Sequence, residues 1–305
     1  YYLSTPGCHR VLHRLHEDVL AKYDAFTVGE TVFVTPKMAD DLVNPTREEL
    51  STVFAFEHME TDCYKIKWFL RRFNPDCFFA CLTKWQKALP WNTVYLENHD
   101  QPRSVSRFGN DTQYHDESAK ALATLVLTLR GTPFLYEGQE IGMTNWRPER
   151  ADMYEDVQTR YTYAHTALKQ SEEVRLHRLW RSSRDSARTP VQWDDSENAG
   201  FTTGKPWFYV NQNYKDINVA QQDADPDSVL NFYRKAVALR KSLSCVRYGE
   251  YREYNKLSGR HYLYSMDDGQ QKILVVCSFA KKNTPFHVPK GFRPEDWELI
   301  LCNYT

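Results

Sequence analysis

Two acidic residues close short apolar runs. Glu30 follows Phe26-Thr27-Val28-Gly29, and Asp100 follows Leu96-Glu97-Asn98-His99. If these runs are parallel strands of an α/β barrel, their C-terminal ends meet at one mouth, and carboxylates far apart in sequence face one pocket. Paired carboxylates suit acid/base work on an acetal: one stays protonated to donate to the leaving oxygen, the other stabilises positive charge at carbon. Strand-end acids are also commonly solvated or cap the next helix, and spacing leaves both readings open. His99 can ligate a metal, bond a substrate hydroxyl, or be a hydrogen-bonded structural histidine. His9, His13 and His16 repeat at i, i+4 and i+7. However, no Glu follows His9 as in a zinc-protease helix, and Arg10 and Arg14 flank the face, so no metal site is expected. The stretch Ser183 to Trp193 gathers Arg184, Asp185, Arg188 and Trp193 just after a charged helix. Guanidinium forks hold carboxylates and hydroxyls in fixed geometry, although a charge-rich loop is equally a solvated surface.

The elements that must position these residues alternate. Arg10–Leu20 has an amphipathic stripe of Val11, Leu12, Leu15 and Val19. Strand-like runs at Tyr23–Glu30, Ser51–Phe56, Thr93–Asn98 and Phe134–Tyr136 are separated by helical patterns at Pro36–Asp41, Cys77–Leu89 and Ser118–Arg130. Short strands alternating with helices predict β/α units and a parallel sheet. Asp223–Ser228 reads as a loop with a helix N-cap at Ser228. Beyond about residue 240 the pattern changes to β-type segments at Tyr248–Tyr254, His261–Met266, Lys272–Phe279 and Trp297–Cys302, with no helix between them. An antiparallel β domain appended to an α/β part is expected, divided as 1–235 and 236–305.

Composition removes whole classes. Thirty-nine basic against 40 acidic residues give a net charge of -1, so nothing favours nucleic acid or an anionic membrane surface. With 41% hydrophobic and 26% charged residues the chain is no disordered segment. No apolar stretch approaches the ~20 residues of a membrane span. The seven cysteines are irregularly spaced without a Cys-x-x-Cys pair, which predicts buried free thiols in a reducing compartment, the cytoplasm by default. The chain opens Tyr1-Tyr2-Leu3-Ser4, without initiator Met, basic n-region or cleavage site, and is expected to be an interior piece of a longer protein.

At these residues the chain resembles the α-amylase superfamily, in the branch of oligo-1,6-glucosidase, dextran glucosidase, trehalose-6-phosphate hydrolase and related α-glucosidases. The resemblance rests on Thr27-Val28-Gly29-Glu30, Phe54-Ala55-Phe56-Glu57-His58-Met59, Glu97-Asn98-His99-Asp100-Gln101-Pro102-Arg103, Ser106-Arg107-Phe108-Gly109-Asn110 and Gly131-Thr132-Pro133-Phe134-Leu135-Tyr136. It continues through Ile141-Gly142-Met143-Thr144-Asn145, Arg184 to Trp193, Asn198 to Thr202 and Asn213 to Val219. It implies the second half of a (β/α)₈ TIM barrel followed by a C-terminal antiparallel β-sandwich, truncated at its end, and a retaining glycosidase. Glu30 would be the general acid/base and Asp100 the carboxylate that grips sugar hydroxyls and stabilises the oxocarbenium-like transition state. His99, Arg184 and Arg188 would bind the same glucose, and Gln101 and Phe56 would wall the pocket. The implied substrate is a short α-1,6-linked or α-1,4-linked gluco-oligosaccharide, the protein a monomer when full length, with no cofactor. Trehalose-6-phosphate hydrolysis is the nearest alternative, sucrose isomerisation a more distant one. A non-catalytic sugar-binding or transporter-associated homologue is the alternative from another class.

The resemblance also exposes a gap. Its members carry an Asp nucleophile on the fourth barrel strand, well before the acid/base Glu. Only 29 residues precede Glu30, and their aspartates, Asp18 and Asp24, lack an Arg-x-Asp strand context. The 305-residue chain is therefore expected to be inactive, with the first half of the barrel and any calcium loop outside it, and its open edge is expected to favour aggregation. Tyr136-Glu137-Gly138-Gln139-Glu140 departs from the Gln-Gly-Glu-Glu of relatives by exchanging an acid and an amide. Leu96-Glu97 and Thr31-Val32-Phe33 are further departures.

Overall fold

Three helices begin at prolines, whose preset φ suits the first helical position and whose missing N–H is not needed there. These are α1 (Pro6–Asp18), capped by Thr5, α2 (Pro36–Val43), capped by Thr35, and α3 (Pro75–Ala88), capped by Asn74. The computed structural model describes residues 4–64, 66–166, 168–254, 261–280, 282 and 284–304. Strand β1 (Val28–Thr31) pairs in parallel with β2 (Thr52–Ala55), Glu30 opposite Phe54. A hairpin of β3 (Cys63–Tyr64) and β4 (Ile66–Leu70) follows, which the charged stretch there did not suggest. Strand β5 (Thr93–Val94), the helices α4 (Ser104–Phe108) and α5 (His115–Thr128), and β6 (Thr132–Pro133) come next, β5 and β6 pairing in parallel. Between the pairs, Thr93 Oγ1 donates to Val53 O at 2.9 Å and Tyr95 OH to Ala55 O at 3.0 Å. The strands therefore stand in the order β1-β2-β5-β6.

Pairing is shorter than the apolar runs predicted. Tyr23 and Phe26 lie outside β1 and are exposed. The last parallel strand sits at Thr132–Pro133, not Phe134–Tyr136: the N–H groups of Thr132 and Phe134 bond Asn92 O and Val94 O, so Pro133 falls where no N–H is required. Gly131 precedes it at φ 136°, and a Cβ there would lie 2.2 Å from Asn92 O.

The remaining helices are α6 (Val157–His165), α7 (Glu172–Ser182), α8 (Val219–Ala224), α9 (Val229–Ser242) and α10 (Ser244–Tyr248). As expected, Ser228 caps α9, its Oγ accepting the Asn231 N–H. Strands β7 (Glu250–Glu253), β8 (His261–Asp267) and β9 (Lys272–Ser278) form one antiparallel sheet. The predicted strand at Trp297–Cys302 is absent: after a 3₁₀ turn at Pro294–Asp296 the chain runs on unpaired, with Leu299 78% exposed.

The main core joins both parts. Phe78 and Phe79 of α3, Leu122 and Leu125 of α5, and Phe232 and Tyr233 of α9 pack with Tyr251, Tyr262, Tyr264 and Met266 of the antiparallel sheet. Tyr262 stacks on Phe79 at 4.8 Å. Its hydroxyl and that of Tyr251 meet Thr83 Oγ1 at 3.2 and 2.9 Å, and Tyr264 meets Thr128 Oγ1 at 2.5 Å. A smaller cluster of Val34, Leu42, Val53, Trp85 and Leu89 lies between α2, α3 and β2. Among the described residues no helix is long and apolar enough to cross a membrane.

Candidate active site

The segment after β5 turns sharply, with Asn98 Oδ1 accepting the Asp100 N–H at 2.8 Å. Asp100 Oδ1 then accepts from two guanidiniums, Arg184 Nη1 at 2.8 Å and Arg188 Nη2 at 2.9 Å. Arg188 Nε donates to the His99 carbonyl at 3.0 Å, tying the same turn again. The other oxygen, Oδ2, has the His99 ring nitrogen at 3.7 Å, and both side chains are open to solvent. One carboxylate oxygen is thus fixed while its twin stays available to a ligand.

The arginines come from a 3₁₀ turn, Arg184–Ala187, capped by Ser183 Oγ. Arg184 Nη2 donates to Gln158 Oε1 at 2.7 Å, and its Nε lies 3.2 Å from Asp156 Oδ1. Lys67 of β4 belongs to the same electrostatic group. Burial and the nearby Arg184 push its ammonium down to about 8, against the pull of Asp156 and Asp100. Sequence reasoning missed Asp156, Gln158 and Lys67. Asp156-x-x-Thr159 is a legible N-cap pattern, but nothing in it names Arg184 as a partner.

Two buried arginines bracket the loop bearing Asp100. Arg107 donates to both oxygens of Asp62, at 2.9 and 2.7 Å, to Gln101 Oε1 at 2.6 Å and to Met59 O. Gln101, expected as a pocket wall, is oriented by that arginine. Arg103 reaches Glu97 Oε2 at 3.2 Å and the carbonyls of Ser186 and Glu137 at 3.1 and 2.5 Å. Glu97 also accepts the Ser104 N–H and hydroxyl, at 2.8 and 2.6 Å.

Glu30 is exposed near the C-terminal end of β1. Phe56, just past β2, is buried edge-on to Tyr95 at 5.9 Å. The structure thus binds His99, Asp100, Arg184 and Arg188 into one cluster. Glu30 and Phe56 stand at the same C-terminal end of the parallel array.

The exchanged acid and amide take opposite positions. Gln139 is buried, its Nε2 donating to Tyr233 OH at 3.1 Å. Glu137 keeps a 41% exposed side chain, 3.5 Å from Arg103. Burial pushes Glu137 up to about 7, with Arg103 opposing and Glu140 and Glu97 adding to the rise. Its folded pKa exceeds the unfolded value of 4.5, so the folded chain holds this proton more tightly and loses stability as pH rises from 4.5 through 7. Glu137→Gln is expected to melt with the parent below pH 4 and above it at pH 8. After discounting for solvent, the gap at pH 8 should be on the order of 1 kcal/mol, roughly 2–3 °C. Equal melting temperatures at pH 8 would remove Glu137 as a source of strain.

The helical histidines do other work. His9 Nδ1 lies 2.6 Å from Glu49 Oε2, and His13 Nδ1 bonds the Arg47 carbonyl at 2.9 Å, pinning α1 to the turn before β2. Among the described residues no three His, Cys, Asp or Glu side chains are grouped to hold a metal ion. Trp193 is half exposed. Asp18 is bound by Arg14 at 3.1 Å within α1, and Asp24 lies in the following turn, so neither ends a strand.

The family model for the alpha amylase catalytic domain matches residues 1–249. The oligo-1,6-glucosidase of Parageobacillus thermoglucosidasius is 43% identical over 100% of this chain and 55% of its own length. The trehalose-6-phosphate hydrolase of Bacillus subtilis is 36% identical over 99% of this chain, again 55% of its own length. Among solved structures, a trehalulose synthase mutant superposes with a TM-score of 0.89 at 38% identity, covering 94% of this chain and 53% of the other. A Bacillus licheniformis trehalose-6-phosphate hydrolase mutant gives 0.89 and 38%, over 95% of this chain and 53% of its own. The chain spans about half the length of the curated relatives it matches. A parallel array with Glu30 near the C-terminal end of β1 and Asp100 in the turn that follows β5, then an antiparallel sheet, together with the match over residues 1–249, places this chain in the α-amylase family, with its TIM-barrel fold.

Proposed function

We propose that residues 1–305 supply the acid/base half of a retaining α-glucosidase site, which removes terminal glucose from short α-1,6-linked or α-1,4-linked gluco-oligosaccharides. The observation that carries this reading is the double arginine hold on Asp100 Oδ1, which leaves Oδ2 open to a ligand, with Glu30 near the C-terminal end of β1 on the same side of the parallel array. Asp100 grips two sugar hydroxyls and stabilises the oxocarbenium-like transition state. Glu30 protonates the glycosidic oxygen and later deprotonates the attacking water. His99 bonds the same glucose, Arg184 and Arg188 hold Asp100 against it, and Gln101 and Phe56 shape the wall. The nucleophile comes from outside these residues.

Further parts of the reading rest on the architecture. The antiparallel sheet begins a β-sandwich on 236–305, residues 1–235 form the second half of the barrel, and the whole protein works as a monomer. All seven cysteines are free, which supports a cytoplasmic setting. Trehalose-6-phosphate hydrolysis is a second reading, favoured by the gathering of three cations, Lys67, Arg184 and Arg188, in one cluster.

The 305-residue polypeptide is expected to give no stereoretentive turnover of nitrophenyl α-glucoside. Joined to the part of the Parageobacillus enzyme that it does not match, it should hydrolyse the glucoside. Glu30→Gln in that fusion should then cost about a thousandfold in kcat/KM. Undiminished turnover by the Glu30→Gln fusion would end the proposal. Faster release of glucose from trehalose-6-phosphate than from isomaltose would favour the second reading.

A further inference from the structure

Asp156 is held at both of its ends. Its Oδ2 accepts the Thr159 N–H at 2.8 Å and the Thr159 hydroxyl at 2.6 Å, capping α6. Its own N–H donates to Asp185 Oδ2 at 3.1 Å, beside the Glu155 N–H at 2.7 Å. Asp185 is completely buried and is the chain neighbour of Arg184. A cap needs only one carboxylate oxygen. The other, Oδ1, lies 3.2 Å from Arg184 Nε.

The Arg184 guanidinium hydrogen-bonds Gln158 at Nη2 and Asp100 at Nη1, while Asp156 faces its Nε edge as an ion pair that is not a hydrogen bond. The Asp156 charge, fixed by the cap, attracts the Nε edge of the planar fork, and with Nη2 on Gln158 this turns Nη1 toward Asp100. We infer that Asp156 is a positioning residue, whose free carboxylate oxygen sets the orientation in which Arg184 holds Asp100. The inference deepens the proposed function, because the hold on Asp100 is read there as the grip on glucose.

The competing explanation is that Asp156 only caps α6. Asparagine caps a helix about as well as aspartate but carries no charge to set against a guanidinium, so Asp156→Asn separates the two roles. The experiment is NMR on the 305-residue chain. It reads the rate of rotation about the Arg184 Nε–Cζ bond together with amide hydrogen exchange along α6, in the parent, Asp156→Asn and Asp156→Ala. Rotation at least tenfold faster in Asp156→Asn, with α6 amides within twofold of the parent, is the expected result. Asp156→Ala should loosen both. Unchanged rotation in Asp156→Asn overturns the inference, and so does an α6 that loosens as much in Asp156→Asn as in Asp156→Ala. Neither readout needs turnover: if Arg184 is freed in Asp156→Asn but hydrolysis by the fused enzyme is indifferent to it, the proposed function fails and the positioning role stands.

Discussion

Arg107→Ala is expected to cost about 3–5 kcal/mol of folding stability, a large part of the roughly 5–15 kcal/mol that holds a domain together. Its side chain is 3% exposed and that of its partner Asp62 is 1% exposed, so no solvent takes over when the guanidinium is removed. The Asp62 carboxylate would remain buried with its charge uncompensated, and Met59 O and Gln101 Oε1 would lose the donor they share with it. A urea midpoint would register the loss. The double replacement Asp62→Leu with Arg107→Met leaves no orphaned charge and should recover most of it. A single variant that melts within about 1 kcal/mol of the parent would show that the pair is not load-carrying for the loop it joins.

Acid should act on the fold through His58. The ring is buried and its Nε2 donates to Tyr95 O at 2.9 Å, leaving Nδ1 to take up any proton. Burial, helped by the charge of Arg107, pushes its pKa down to about 4 from 6.5. The folded value is the lower one, so between pH 6.5 and 4 the unfolded chain binds a proton that the folded chain refuses, and stability falls as pH falls. The shift corresponds to a loss on the order of 3 kcal/mol, complete near pH 4. His58→Gln keeps an N–H donor for the Tyr95 carbonyl and discards the basic nitrogen. Its melting temperature should therefore drop much less between pH 7 and pH 4.5 than that of the parent. Parallel drops in the two proteins would acquit His58.

Much of the site was legible because its residues sit where chain direction changes. Glu30 and Asp100 end apolar runs, and a parallel array sends such ends to one side whatever their separation in sequence. Arg184 and Arg188 were legible as chemistry but not as partners of Asp100, since the contact joins segments more than eighty residues apart. The strand at Thr132–Pro133 was misplaced because proline argued against a strand, and only the pairing shows that its missing N–H faces away from β5. The hairpin of β3 and β4 has no clean alternation, and its residues are fixed by α7: Ser182 Oγ donates to Lys67 O at 2.9 Å. The final strand was read from a hydrophobic run that the fold leaves exposed at Leu299 and Ile300. Glu137 and Gln139 show the limit most clearly, for the exchange was visible in the letters while its effect depends on which side chain Arg103 meets.

The phenols of Tyr251, Tyr262 and Tyr264 reach across from the antiparallel sheet to hydroxyls on α3 and α5, and their rings complete the packing of those helices. The sheet is consequently no interchangeable cassette. A foreign domain grafted in its place would deprive the Thr83 hydroxyl of both phenols, leave that of Thr128 only the Thr124 carbonyl of its own helix, and open a hole beside Phe79, so sequence drift on either side of this seam has to be matched on the other.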